Sequence, residues 1–194
     1  MKPIAFALSL AAALALVLSS GCSRPETPEI PVATTPAQSF DTVVAQGKGF
    51  TVGAMMSANT AYVLFDPQCP HCSHLWEASL PLHKKVKFVW IPVAIINAKS
   101  APQGAALLTS ANPVELMTAH ETSILAGSGG ISASASVPAE VESAIKNNTQ
   151  LFNSLKLESV PFIIAKNGNT GQIVRNSGSM TTPALAALLG VDQP

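Results

Sequence analysis

The chain predicts an α/β fold organised around a strand-helix-strand unit, and three observations point to it. An apolar run at 61–65 leads into Cys69-Pro70-His71-Cys72, and a second strand pattern follows at 86–93. Strand signals return at 160–165 and 172–175, after a long Ala-rich, polar-interrupted middle that reads as helices. A strand, a helix and a strand in one short stretch favour parallel pairing through a right-handed crossover.

The elements follow in order. Residues 1–21 carry one cation, Lys2, and then a continuous apolar stretch from Ile4 to Leu18. That is the pattern of a secretory signal, too short for a comfortable membrane span of about 20 residues. Residues 22–39 hold Pro25, Pro28, Pro31 and Pro36 among Thr, Glu and Ala, the composition of an extended, solvated tether. The globular domain is expected over 40–194, with 40–58 ambiguous because Gly47, Gly49 and Gly53 interrupt its apolar pattern. A strand at 61–65, a helix from Pro70 to His83 and a strand at 86–93 come next. Helices are expected at 100–111, 113–123 and 138–156, with Pro113 and Pro138 at their starts and a flexible loop at 127–130 between the last two. A strand at 160–165, a turn at Asn167-Gly168, a strand at 172–175 and a helix at 182–189 close the chain. Helices inserted at about 98–158 between two halves, with an antiparallel hairpin at the end, make a thioredoxin fold with an inserted helical subdomain.

Composition narrows the function. Eleven Lys and Arg balance eleven Asp and Glu, so the excess of cations that a nucleic-acid surface needs is missing. About 170 residues remain after the signal, enough for one core and one domain. Of the three cysteines, two form the Cys-x-x-Cys pair and the third is Cys22, which leaves none for a structural disulfide.

The chemistry sits in that pair. Residues three apart on a helix share a face, so Cys69 and Cys72 can close a small disulfide ring or share an attack on another sulfur. Pro70 is suited to the first helical position, which puts Cys69 at or beside the N-cap, where free N–H groups and the helix dipole favour a thiolate. A free cysteine titrates near pH 8.5, and such sites lower that to between about 3.5 and 7.5. His71, when protonated, would add positive charge near the Cys69 sulfur and tune it further.

Two resemblances extend this reading. Leu18-Ser19-Ser20-Gly21-Cys22 resembles the lipobox of bacterial lipoproteins, although Ser19 stands where Leu is usual; the alternative is ordinary cleavage near Gly21, which leaves Cys22 a free thiol. Lipidation at Cys22 implies a membrane anchor, and Ser23 after it implies the outer membrane. Phe65-Asp66-Pro67-Gln68-Cys69-Pro70-His71-Cys72-Ser73-His74-Leu75-Trp76, with Pro81, 86–96 and Ser159-Val160-Pro161-Phe162, resembles bacterial periplasmic thiol:disulfide interchange proteins, closest to the DsbC and DsbG catalytic domain. The similarity spans roughly residues 60–190. It implies a cis peptide before Pro161, with Val160 and Pro161 holding substrate backbone opposite the dithiol. It further implies no cofactor beyond the redox-active pair, exported cysteine-containing proteins as substrates, and a membrane or periplasmic redox partner.

Two departures bear on the sub-type. DsbC and DsbG carry an N-terminal dimerisation domain, and only a tether and about 20 residues precede the dithiol domain here, so a monomer is expected. The Pro-His dipeptide and Val160 before the proline resemble the oxidase DsbA, whereas the chain-wide likeness implies a reductase or isomerase. The direction of exchange stays open.

The rival class is copper or zinc binding, since Cys69, His71, Cys72 and His74 put four donors within six residues. A structural zinc site draws on two separated pairs and one helical turn cannot aim four side chains at one ion, so no metal ligands are assigned. Trp76 is expected to pack, His120-Glu121 lacks the later histidine of a metalloprotease helix, and Asp66 and Gln68 border the site without an assigned role.

Overall fold

A computed structural model describes residues 35–193; the signal segment, Cys22 and the tether as far as residue 34 lie outside the described residues. Helix α1 (Pro36–Gln46) starts inside the stretch expected to be tether. Thr35 caps it: its hydroxyl accepts from the Gln38 amide and the Gln38 side chain accepts from the Thr35 amide. Pro36 takes the first helical position, where a missing N–H costs nothing. Composition alone read these prolines as spacers, but capping chemistry turns the last of them into a helix start.

Strand β1 (Phe50–Gly53) resolves the ambiguous stretch, and β2 (Thr60–Phe65) follows. Helix α2 (Pro70–Ser79) is shorter than expected, with a 3-10 turn at Leu80–Leu82 in place of its last turn. Pro81 is the cause, since its ring clashes with the carbonyl four residues back and it has no N–H to donate. After β3 (Lys87–Pro92), three helices fill the long middle: α3 (Ser100–Leu108), α4 (Pro113–Leu125) and α5 (Ala139–Ser154). Strands β4 (Phe162–Lys166) and β5 (Ile173–Ser177) form the hairpin, and α6 (Thr182–Leu189) stops at Gly190 in the left-handed region, φ 66°.

The strand order is β1-β3-β2-β4-β5. β2 and β3 run parallel, as the strand-helix-strand reading requires, and the other pairings are antiparallel. Alternation along β2 sorts the two faces. Tyr62 meets Phe40 of α1 edge-on, while Phe65 meets Trp90 of β3, which in turn meets Trp76 of α2. So α1 and α2 cover opposite faces, and α2 also packs against α4 and α6. Trp76 is fully enclosed, in agreement with its expected packing role. Because β2 and β3 are parallel, their C-terminal ends share one edge, and the loops after them, 66–69 and 93–99, meet there.

Candidate active site

The chain leaves β2 at Phe65 and turns through Asp66-Pro67-Gln68 into α2. Asp66 is fully buried and organises this turn: it accepts from the Gln68, Ile95 and Ile96 amides and from the Ser100 hydroxyl, at 2.7–3.0 Å. A short acidic side chain thereby ties the loop before the dithiol to the loop after β3, and gives Asp66 the structural role the sequence left unassigned.

Cys69 is the N-cap of α2 with an extended backbone, and Pro70 is in the first turn. Both cysteines are free thiols; Cys69 keeps 5 % of its surface exposed and Cys72 none. The Cys69 sulfur is thus left a narrow window to solvent. The Cys69 thiol donates to the Val160 carbonyl at 3.4 Å, and Val160-Pro161 is a cis peptide. Pro161 is held in turn, its carbonyl accepting from the Gly178 amide.

The two sulfurs are electrostatically unequal. Cys69 is lowered to about 7, first by the hydrogen bond its ionised sulfur accepts from the Cys72 thiol, with the Cys72 and His71 backbone amides adding to it against desolvation. Cys72 is pushed well above its ordinary value, chiefly by burial and by the same hydrogen bond, since the thiol that donates holds its proton. The His71 imidazole is exposed on the helix, 6.4 Å from that of His74 between ring centres. What His71 gives Cys69 in this geometry is its backbone N–H.

A shell of buried polar groups from the inserted helices surrounds the pair, and sequence reasoning passed over it. Glu121 of α4 is 1 % exposed; it accepts from the Ser73 hydroxyl at 2.5 Å through Oε2, while Oε1 is buried without a hydrogen-bond partner. Burial raises its pKa to about 8, opposed by the Ser73 bond and helped by the nearby Cys69, Asp66 and Glu77 charges. The signal for it was in the sequence: Met117, His120, Glu121 and Ile124 form one buried stripe at helical spacing, so a carboxyl stands on the core face of α4. His120 accepts from the Ile131 amide through Nδ1, which leaves Nε2 to donate to the Pro67 carbonyl at 2.7 Å. Gln103 donates to the Gly129 and Ile131 carbonyls, and Gln68 donates to Gln103 and Gly129. The 127–130 loop, expected to be flexible, is thus pinned beside the dithiol turn. Among the described residues no group of three or more His, Cys, Asp or Glu is arranged to hold a metal ion. No described helix is long and apolar enough to cross a membrane.

A five-stranded sheet with a Cys-x-x-Cys at the start of the helix after β2, and a cis-proline against its first sulfur, defines a thioredoxin-fold dithiol protein. Solved structures agree on the fold: the catalytic domain of ScsC from Proteus mirabilis superposes with a TM-score of 0.60 at 15% identity, over 79% of this chain and 93% of that one. A thioredoxin-like oxidoreductase from Silicibacter pomeroyi gives 0.58 at 16% identity, over 77% and 94%. By sequence the chain is DsbG-like. It is 30% identical over 140 residues to the thiol:disulfide interchange protein DsbG of Pseudomonas aeruginosa, covering 71% of this chain and 54% of that protein. The DsbG of Escherichia coli is 29% identical over 104 residues, 53% of this chain and 41% of that protein. The chain thus spans about half the length of the curated relatives it matches. No protein-family model matches it.

Proposed function

We propose that this chain is a thiol:disulfide oxidoreductase of the bacterial cell envelope, exchanging disulfides with exported proteins through Cys69 and Cys72. One observation carries the reading: a lowered sulfur at a helix N-cap touches the cis-proline loop, with a proton-holding thiol buried one turn behind it. In the reducing direction the Cys69 thiolate attacks a substrate disulfide, forming a mixed disulfide and releasing one substrate thiolate, which takes a proton from water. The Cys72 thiol then loses its proton and attacks the Cys69 sulfur, and the second substrate thiolate leaves. The substrate gains two electrons and two protons; the pair becomes a disulfide. The oxidising direction is the reverse. Val160 and Pro161 hold substrate backbone, and the exposed Ile95 and Ile96 offer apolar surface on the loop that Asp66 ties to the same edge.

A Cys69 near 7 supports the reductase or isomerase direction. A more stabilised thiolate makes the reduced pair more stable and the disulfide more oxidising, and strong oxidants have pKa values near about 3.5. The protein acts on the periplasmic side, where the DsbG likeness and the secretory pattern of residues 1–21 agree. Lipidation at Cys22 holds it to the membrane, in the outer membrane by Ser23, through the tether.

Equilibration against glutathione buffers tests the direction: a potential below about −200 mV is expected, and one near −120 mV would reverse it. Cys69→Ser is expected to abolish insulin reduction and Cys72→Ser to accumulate mixed disulfides on non-reducing gels; full activity in Cys69→Ser ends the reading. Cys22→Ala is expected to release the protein from membranes, and unchanged fractionation refutes the anchor.

A further inference from the structure

One imidazole holds the turn that delivers the nucleophile. Residues 66–69 close a β-turn, with the Cys69 amide donating to the Asp66 carbonyl at 3.0 Å. Pro67 and Gln68 are its two central residues, and the peptide plane between them is the part of such a turn that flips between alternative forms. The Pro67 carbonyl belongs to that plane, and it lies 2.7 Å from Nε2 of His120. His120 is fully buried on α4, and its Nδ1 lies 3.2 Å from the Ile131 amide. An amide only donates, so Nδ1 is bare and the ring proton sits on Nε2, where it is given to Pro67. The fit around the ring is close: a Cβ at Gly130 would stand 2.5 Å from Cε1.

We propose that His120 is a positioning residue for Cys69, a strut that fixes the dithiol turn while its ring is neutral and releases it when the ring is protonated. The inference rests on the thiol:disulfide reading of the site. An imidazolium would put a second N–H on Nδ1, directly against the Ile131 N–H, and two donors facing each other in a buried site force one of them away. The 127–131 loop is the partner that gives, and its release reaches the nucleophile by a second path. The Gly129 carbonyl accepts from the Gln68 side chain, and Gln103 spans Gln68, Gly129 and Ile131. The residue before Cys69 and the carbonyl before that are thus hung from one loop, and His120 is what pins the loop to the turn.

Burial holds His120 below its ordinary value of 6.5, against the Pro67 bond and the Asp66 carboxylate at the end of β2, both of which favour the imidazolium. The other ionisable groups around it come from three elements. On α4, Glu121 keeps its proton up to about 8; on α2, Cys72 is a thiol throughout, Cys69 is a thiol below about 7, and His74 and Glu77 stand on the exposed face. Lys99, before α3, brings its ammonium beside Gly129, and residues 127–138 carry no ionisable side chain. Release therefore falls below pH 6.5, where neither Glu121 nor Cys72 changes charge.

The test is the rate at which Cys69 of the reduced full chain attacks a small aromatic disulfide, followed from pH 7.5 to 4.5. Protonation of Cys69 alone lowers the rate by about 10-fold per pH unit, and loss of the strut is expected to steepen the wild-type profile towards about 100-fold per unit as His120 takes its proton. His120→Gln offers an amide N–H to Pro67 and does not titrate. Its rate at pH 7.5 is expected to match wild type, and its profile to stay at the one-proton slope. His120→Ala, with no donor for Pro67, should be about 10-fold slower already at pH 7.5. A one-proton slope in wild type, or equal steepening in His120→Gln, overturns the proposal and leaves the exchange reading intact. Should the variants fail to fold, nitrogen NMR of the wild type decides. An Nε2–H ring at pH 7.5 that titrates below 6.5 with the same midpoint as the Ile131 and Gln68 amides supports the strut, and an Nδ1–H ring or separate midpoints overturn it. Wild type whose Cys69 attacks no disulfide at any pH, with that shared midpoint present, overturns the exchange reading and leaves the strut on the turn in place.

Discussion

Burial and the proton held by Cys72 divide the labour of the two sulfurs. Cys69 is lowered to about 7 chiefly because the Cys72 thiol donates to it, more than by any side-chain cation. Alkylation of Cys69 by iodoacetamide, followed against pH, should therefore inflect near 7 in the reduced protein. Replacing Cys72 by Ala should move that inflection upward and cut the rate at pH 7 several-fold, because the donor is lost. An inflection left in place by that substitution would contradict the assignment. The nucleophile and its partner were legible from spacing alone, since two cysteines three apart behind a proline define a helix start. The cause of their inequality was legible in part. The sequence pointed to the free N–H groups of the helix start, with the His71 side chain as a further tuner; the backbone amides do lower Cys69, and the structure adds the buried Cys72 thiol, whose effect depends on how deeply the helix sits.

Among the elements, α1 and the 127–130 loop changed most between reading and structure. Proline-rich composition suggested a tether through residue 39, while Thr35 and Gln38 make a reciprocal cap. Thr35→Ala is expected to cost about 1 kcal/mol, read as a lower melting temperature. The loop was expected to be flexible from its glycines, but its carbonyls are claimed by Gln68, Gln103 and Ser123 and its following amide by His120. Gly130 has φ 86°, and a Cβ there would meet the His120 ring. Gly130→Ala is accordingly expected to destabilise by about 1–3 kcal/mol and to raise hydrogen exchange across 127–131, whereas Gly127→Ala shares the strain of a positive φ, 73°, but has open space around its Cβ and should lack the added clash. Helix α4 shows how a local pattern holds more than a motif search finds. Glu121 was passed over because no metalloprotease signature followed it, although its place on the buried stripe with Met117 and Ile124 marks it as a core carboxyl.

For the whole molecule, burying that carboxyl sets a pH dependence. Glu121 moves from its ordinary 4.5 to about 8 on folding, so the folded protein binds an extra proton between those values. Stability is highest below pH 4.5 on this account and falls as pH rises towards 8, by up to about 5 kcal/mol from this group. Cys69 works the other way in the reduced protein, adding stability between about 7 and 9 because its folded value is lowered. Denaturant titrations of wild type and Glu121→Gln across pH 5 to 8 should show a falling curve for the first and a flatter one for the second; parallel curves would mean that Glu121 ionises in the fold as easily as in the unfolded chain. The α/β class, the parallel pair, the dithiol helix and the closing hairpin were all readable from residue order, because alternation and helical spacing act over a few neighbours, whereas the proline opposite the cysteines was implied by the family resemblance of Ser159-Val160-Pro161-Phe162. The buried polar shell was decided by tertiary structure. Asp66, Ser73, Gln103, His120 and Glu121 come from distant parts of the chain. Their burial, their partners and the proton affinity of Glu121 exist only once α3 and α4 close over the end of the sheet and exclude water.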